Sequence, residues 1–172
     1  MQQTKYSNES LTFMTQMVLP NDTNTMNNLM GGILMRWMDI ASAIAAQKHS
    51  NCNVVTASVD NISFSRPVPL GNVVTLKAQV TRAFHTSMEI KITVWAEDIP
   101  KGKRILANTA FFTFVAIDDE GKPQNVPALV PQTEEEKLLF EEAARRRELR
   151  LLLSKRKDLD DNSDLQKYFK KS

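Results

Sequence analysis

Residues 21–46 read NDTNTMNNLMGGILMRWMDIASAIAA. A polar, Asn-rich stretch leads into a glycine pair, Gly31–Gly32, and then into a run that is apolar at almost every position. At about 3.6 residues per turn, Leu29, Ile33, Trp37 and Ile40 fall on one side and Leu34, Met38, Ala41 and Ala45 on another. The pattern predicts a helix from the glycine pair to about Lys48. Apolar side chains on nearly every side mark a helix surrounded by other structure rather than one lying on a surface. One carboxylate, Asp39, sits in its middle. Burying an unpartnered charge costs several kcal/mol, so Asp39 needs either a partner or a task.

The segments that follow supply the surroundings. In Ser87–Ala96, SMEIKITVWA, Met88, Ile90, Ile92 and Val94 alternate with Glu89, Lys91 and Thr93, which predicts a half-buried strand with one wet face. Asn72–Thr81 alternates likewise, with Val74, Leu76, Ala78 and Val80 on one face, and RAFH between the two forms a hairpin bend. Ile105–Ile117 is almost continuously apolar and suits a central strand. Val54–Phe64 reads as another strand, and Leu11–Val18 as a first. One helix followed by closely spaced strands, in the order β-α-β-β-β-β, is an α+β arrangement: an antiparallel sheet of about five strands curled around a central helix.

The chain has 172 residues, enough for one domain that buries about two thirds of its unfolded surface. A hydrophobic fraction of 42% and a charged fraction of 24% are ordinary for a soluble protein. A net charge of +2 is too small to indicate nucleic-acid or membrane-surface binding. The single Cys52 excludes an intrachain disulfide and fits a reducing compartment. With His49 and His85 as the only histidines, no dense zinc-ligand pattern can be written, and no metal site is expected. MQQTKYSNES lacks the apolar core of a targeting signal, and Leu29–Ala46 is interrupted by Arg36, Asp39 and two glycines. Both features lead to the expectation of a cytoplasmic protein without membrane insertion.

TEEEKLLFEEAARRRELRLLLSKRK forms a second helix. Thr133 is its N-cap and Glu136 completes a capping box, with acidic residues early and basic residues late. The Pro-rich stretch around Pro123, Pro127 and Pro131 connects it to the sheet. The expected organisation is a flexible N-terminus over 1–9, the main domain over 10–131, the C-terminal helix over 132–157 and a flexible tail over 158–172.

If the central helix reached back to Asn28, Asn28 and Asp39 would share a face about three turns apart, roughly 16 Å along the axis. Within one chain they could not touch the same reacting atom. Two antiparallel helices across a two-fold axis would bring Asn28 of one copy to Asp39 of the other, twice per dimer.

A set of ordered motifs runs through the chain: Pro20 with Asp22–Asn24, the Gly31–Gly32 pair, Met38–Asp39, VVTASVDNISFSRPVPLGNVV at Val54–Val74, HTSMEI at His85–Ile90, AFFTFVAID at Ala110–Asp118 and PALVPQTEEEK at Pro127–Lys137. Over about residues 10–155 the chain resembles the acyl-CoA thioesterases of the hotdog fold, the bacterial broad-range and cytosolic long-chain acyl-CoA hydrolases. The resemblance implies that Asp39 is the catalytic carboxylate and that Asn28 completes the site from the partner subunit. It also implies a homodimer with shared sites, assembled as a trimer of dimers into a homohexamer. Acyl-CoA would be the substrate, CoA and a free fatty acid the products, and no separate cofactor would be required.

Thioester hydrolysis needs an activated water or nucleophile and donors for the developing oxyanion. Unpaired N–H groups open a helix at its positive end, and Gly31 and Gly32 would let a carbonyl approach them closely. Asp39 would act on water as a general base; direct attack to form an anhydride is the competing route. The family's nucleotide contacts nominate Arg66, Arg82 and Ser87 for CoA binding, with Arg145–Arg147 and Lys155–Lys157 as further basic candidates near its phosphates. Met30, Met35 and Met38 suit an acyl chain and suit a plain core equally.

Blander readings stand beside these. Asp39 could pair with Arg36 on its own helix, and Asn28, Asn24 or Asn27 could cap the helix. His49 reads as a residue complementing the helix dipole, His85 as a turn residue and Cys52 as a small, partly buried side chain. No Ser-His-Asp arrangement can be assembled. A hydratase or dehydratase would want a histidine near the central helix, and a binding module could dispense with Asp39; both remain alternatives to hydrolysis.

Overall fold

The computed structural model describes residues 3–60, 62, 64 and 66–163, with side chains through 154. In chain order the elements are β1 (Thr4–Tyr6), α1 (Ser7–Ser10), β2 (Thr12–Met17), α2 (Gly31–Ser50), β3 (Asn53–Val59), β4 (Val73–Ala83), β5 (Ser87–Asp98), β6 (Lys103–Ile117), β7 (Ala128–Val130) and α3 (Glu134–Ser163). Strands β2 to β6 form one antiparallel 5-stranded sheet in the order β2-β4-β5-β6-β3. This is the α+β hotdog architecture expected, with α2 against the inner face of the sheet.

Alternation places Val74, Leu76, Ala78 and Val80 of β4, Met88, Ile90, Ile92 and Val94 of β5, and Phe112 and Phe114 of β6 on that inner face. All are buried against Leu34, Trp37, Met38, Ala41 and Ala45 of α2. Each large aliphatic or aromatic side chain contributes about 1.5–3 kcal/mol when fully buried, so the helix and sheet hold each other in one register. The C-terminus of α2 closes on Asn51, in the left-handed region at φ 54°, whose N–H bonds the Gln47 carbonyl. Lys5 Nζ donates to the Lys48 carbonyl at 2.7 Å and complements the negative end of the helix.

Several expectations need correction. The stretch expected as a flexible N-terminus holds regular structure: β1 pairs in parallel with β7, and Ser7 and Ser10 of α1 are buried. The segment Ala128–Val130, expected to be plain connector, is therefore a strand. β3 ends at Val59 rather than Phe64, and β4 continues through Arg82 and Ala83 before the turn at 84–86. α3 passes the expected boundary at 157 and runs to Ser163, while the remainder of the expected tail, 164–172, lies outside the described residues. Its capping box is present, with Glu136 N–H bonding Thr133 Oγ1 and Thr133 N–H bonding Glu136 Oε2.

Glu89 was expected on a wet face and is instead 0% exposed. It points away from α2, where α3 crosses the outer side of the sheet and supplies two arginines. The central helix also differs from expectation. One side of it is covered, but Met35, Ile40 and Ile44 are 40%, 38% and 38% exposed. Ile40 and Ile44 lie one turn apart on one side of α2, Met35 lies on another, and Val55 and Val59 of the edge strand β3 are exposed too. The enclosure that the apolar pattern demands is only half supplied by this chain's own sheet.

Candidate active site

Asp39 lies midway along α2 and is half-buried. Thr56 of β3 donates its hydroxyl to Asp39 Oδ1 at 2.7 Å. That distance is typical of a charge-assisted O–H···O bond. With Oδ1 held, Oδ2 is the oxygen left to face a substrate. Among the described residues Arg36 makes no ion pair with Asp39, so the intrahelical pairing considered from the sequence does not form; Arg36 is exposed. Thr56 was not singled out from the sequence. Its hydroxyl becomes significant only through register, because β3 must lie antiparallel on β6, Thr56 opposite Phe114, for it to reach α2.

The N-terminus of α2 is the second part of the site. Met30 is the N-cap, and its carbonyl accepts the Leu34 N–H at 3.1 Å. The N–H groups of Gly31 and Gly32 belong to the first turn, which has no intrahelical acceptors. A Cβ on Gly31 would stand 3.4 Å from the Phe64 ring, whereas one on Gly32 would meet nothing within 4 Å. Gly32 is therefore the open approach, with Phe64 flanking it.

Asn28 does not lie on the helix. It sits in the loop before it, bridged to Pro69, so the expected shared helical face with Asp39 is replaced by a loop position. The same loop holds Asn24, whose Oδ1 accepts the N–H groups of Met26 at 2.9 Å and Asn28 at 3.2 Å. Asn27 takes φ 56°, a left-handed geometry that asparagine tolerates well. Asn24 is exposed, and its amide nitrogen makes no hydrogen bond among the described residues. Leu29 N–H bonds the Val68 carbonyl and Leu70 N–H the Asn27 carbonyl, so the segment carrying exposed Arg66 is stitched to this loop.

Arg82 and Ser87 are elsewhere. Arg82 donates to the Phe140 carbonyl at 2.8 Å and stacks over the Phe140 ring at 4.1 Å, so within this chain it fastens α3 rather than awaiting a phosphate. Ser87 shares a rung with Val115, and Val115 with Val55. That puts it about 10 Å across the sheet from the strand carrying Thr56. His49 is fully buried, its Nε2 bonded to the Pro127 carbonyl at 2.9 Å. Burial pushes its pKa below the ordinary value, against the opposing pull of the Pro127 bond. Buried and so committed, it does not serve as the base of a hydratase. Cys52 directs Sγ to the Ser50 carbonyl at 3.4 Å. Among the described residues no group of three or more His, Cys, Asp or Glu is placed to ligate a metal, and no helix is long and apolar enough to cross a membrane.

The arrangement thus offers an oriented carboxylate and, separately, a glycine-opened helix N-terminus. Gly32 and Asp39 are seven residues apart on one helix, about 10 Å along the axis. A single thioester carbonyl cannot touch both in one protomer.

A helix-wrapping sheet with a central carboxylate and an open helix start defines a hotdog thioesterase. Residues 26–103 match the family described as the Thioesterase superfamily. The chain is 42% identical over 144 residues to the uncharacterized acyl-CoA thioester hydrolase YkhA of Bacillus subtilis, covering 84% of each. It is 42% identical over 139 residues to the mouse cytosolic acyl coenzyme A thioester hydrolase, but spans only 36% of that longer protein. The chain belongs to the thioesterase superfamily and, within it, groups with the acyl-CoA thioester hydrolases.

Among solved structures, an acyl-CoA hydrolase of Staphylococcus aureus in complex with butyryl coenzyme A, coenzyme A and coenzyme A disulfide superposes with TM-score 0.84 at 36% identity, over 93% of this chain and 99% of that one. An apo-hexameric acyl-CoA thioesterase superposes with TM-score 0.85 at 39% identity, over 88% and 97%. Mutants of the Staphylococcus enzyme have been made in which an Asp, an Asn or a Thr is changed to Ala. Those three positions are spaced along that chain as Asn24, Asp39 and Thr56 are spaced along this one. By that spacing the mutated asparagine matches the position of Asn24, and Asn28 has no counterpart among the three.

Proposed function

We propose that the protein hydrolyses acyl-CoA thioesters to free CoA and a carboxylic acid, with Asp39 activating the attacking water. The observation that carries this reading is the Thr56–Asp39 hydrogen bond on a triple of residues, Asn24, Asp39 and Thr56, whose spacing is that of the positions mutated in the Staphylococcus acyl-CoA hydrolase. Asp39 Oδ2 takes a proton from water, the oxygen adds to the thioester carbonyl carbon, and the oxyanion is met by helix-start N–H groups at Gly31 and Gly32. Collapse expels the CoA thiolate, which takes up the proton held by Asp39. The chemistry uses water and the chain's own groups, with CoA entering as part of the substrate.

Two copies complete the site. The distance between Gly32 and Asp39 within one helix, the exposed Ile40 and Ile44 on one side of α2 and the free edge of β3 are all met by a second, antiparallel copy of α2 across a two-fold axis. The Asn24 amide of one subunit then faces the Asp39 of the other, a role assigned here to Asn24 in preference to Asn28. The hexameric relative supports further assembly into a trimer of dimers, and the cytosolic name of the mouse relative supports a cytoplasmic setting. Arg66, next to the helix start, is the proposed contact to the CoA phosphates; Arg82, engaged with Phe140, is not.

The test is thiol release from acetyl- to palmitoyl-CoA by wild type and by Asp39→Asn, Asn24→Ala and Asn28→Ala. Turnover lost in the first two and retained in the third is expected. A wild type that binds acyl-CoA without releasing thiol would overturn the hydrolase reading, and loss in Asn28→Ala alone would restore the original asparagine.

A further inference from the structure

The outer face of the sheet carries a charged cluster that thioester chemistry does not use directly. The buried Glu89 carboxylate of β5 accepts the Thr81 hydroxyl at 2.8 Å, Arg146 Nη2 at 2.8 Å and Arg146 Nε at 3.1–3.2 Å on both oxygens. Arg146 also lies over the Phe111 ring at 3.8 Å. Burial alone would lower its pKa, but the bonds and charges of Glu89 and, less strongly, Glu142 outweigh that and hold it above the ordinary arginine value. One turn further along α3, Arg150 Nη1 reaches Glu89 Oε2 at 3.2 Å and Asp60 Oδ2 at 2.6 Å.

The two arginines are not equivalent. Arg146 already satisfies Glu89 from two directions, so Arg150 is not needed to neutralise it. The shorter bond of Arg150 goes to Asp60, a carboxylate 25% exposed that water could solvate without help. Pairing it with a helix arginine therefore changes position more than it relieves a buried charge. Asp60 is the residue directly after β3, and its own N–H bonds the Phe111 carbonyl at 2.9 Å. On its N-terminal side runs the strand with Thr56, which holds Asp39. On its C-terminal side the chain leads to Phe64, which lies beside Gly31, and to Val68 and Leu70, which bond Leu29 and Asn27.

We propose that Arg150 is a positioning residue for the thioester site: through Asp60 it anchors α3 to the point where the Thr56 strand meets the segment covering Gly31. This rests on the reading of Asp39, Thr56 and the glycine pair as the reacting site. It gives the C-terminal helix, which touches none of these groups, a defined part in setting their geometry.

The experiment compares wild type with Arg150→Met, Arg150→Lys, Asp60→Asn and the Arg150→Met/Asp60→Asn double variant, measuring kcat and KM for an acyl-CoA well below the unfolding temperature. Amide hydrogen exchange over residues 54–72 is measured alongside. Misplacing reacting groups by an ångström costs up to about a hundredfold, so kcat is expected to fall between about tenfold and a hundredfold in Arg150→Met and in Asp60→Asn. The double variant should be no worse than either single one, and Arg150→Lys, which can still reach Asp60, should recover most of the rate. Exchange should rise within 54–72 and not in β4 and β5. Unchanged kcat with only a lower unfolding temperature, or exchange raised evenly across the sheet, would overturn the proposal. If wild type releases no thiol, or Asp39→Asn matches it, the reading of the site fails instead. The exchange pattern in Arg150→Met then decides by itself whether Arg150 fixes the segment.

Discussion

Thr56→Val tests the hydrogen bond at the centre of the site. Valine keeps the shape and the β-branching that suit a strand, and removes only the hydroxyl that donates to Asp39 Oδ1 at 2.7 Å. A hydrogen bond to an ionised group is worth about 1.5–3 kcal/mol net. Thr56 is exposed and Asp39 half-buried in the protomer, so the lower end applies, about 1.5 kcal/mol. If that energy orients the carboxylate in the transition state, kcat should fall roughly tenfold, since about 1.4 kcal/mol is a factor of ten in rate. KM should move little, because Thr56 acts through Asp39 and not on the CoA moiety. The assay is continuous thiol release, with folding checked by circular dichroism and assembly by sedimentation. Thr56→Val combined with Asp39→Asn should be no slower than Asp39→Asn alone, as expected when one residue works through the other. A Thr56→Val enzyme within twofold of wild type in kcat would refute the orienting role, as would full additivity in the double variant.

Three further outcomes follow from the structure. Ile44→Asp places a charge on the uncovered side of α2 and should shift sedimentation toward monomer, with loss of turnover at the same time; an unchanged oligomer would mean that this side is not the interface. Glu89→Gln leaves two arginines facing a neutral, buried amide and should destabilise the fold by about 3 kcal/mol in urea titration, whereas an effect under about 0.5 kcal/mol would show that the cluster is effectively solvated. His49 has a folded pKa lowered by burial, with Lys5 adding to the lowering and the Pro127 bond and Glu9 opposing it. Its contribution is therefore fully present above the unfolded value of about 6.5 and is lost as pH falls below that value. The loss levels off once pH passes the lower folded value. Urea midpoints at pH 8 and pH 5.5 should differ more in wild type than in His49→Gln.

The physical cause of the His49 behaviour is visible in its two ring nitrogens. Nε2 donates to Pro127, while Nδ1 is buried with no partner among the described residues. A bare lone pair in that position is tolerable, but a second N–H there would be a buried donor without an acceptor. The sequence reading placed His49 at the helix end and took it as a dipole partner. Its position at the helix end is as expected, but its charge state depends on burial within the fold, where its ring meets the Pro127 carbonyl from 78 residues away.

Much of the architecture was legible along the chain because it depends on short-range periodicity. The alternation in β4 and β5 and the all-round apolar character of α2 specify a sheet and an enclosed helix without reference to anything distant. Asp39 stood out for the same reason, as a charge on an otherwise apolar helix. The glycine pair marked the helix start, and the capping box at Thr133 and Glu136 marked that of α3. Glu89 shows the limit of that reading. Its place in a strand and on the outer face was correct, yet whether that face is wet depends on α3, more than forty residues later, crossing it with Arg146 and Arg150.

Tertiary structure alone decided which residues meet Asp39. Thr56 reaches it because of strand register, and Asn28 leaves the helical face because α2 begins at Gly31, three residues beyond it. Arg82 turns from a possible phosphate contact into a fastening for Phe140 because α3 packs beside it. Local pattern determines secondary structure and the inward face through backbone geometry and the burial of apolar surface, both properties of neighbouring residues. A site is a meeting of side chains far apart in sequence, and here also of surfaces that one chain leaves uncovered, so it is set by register, crossing and assembly.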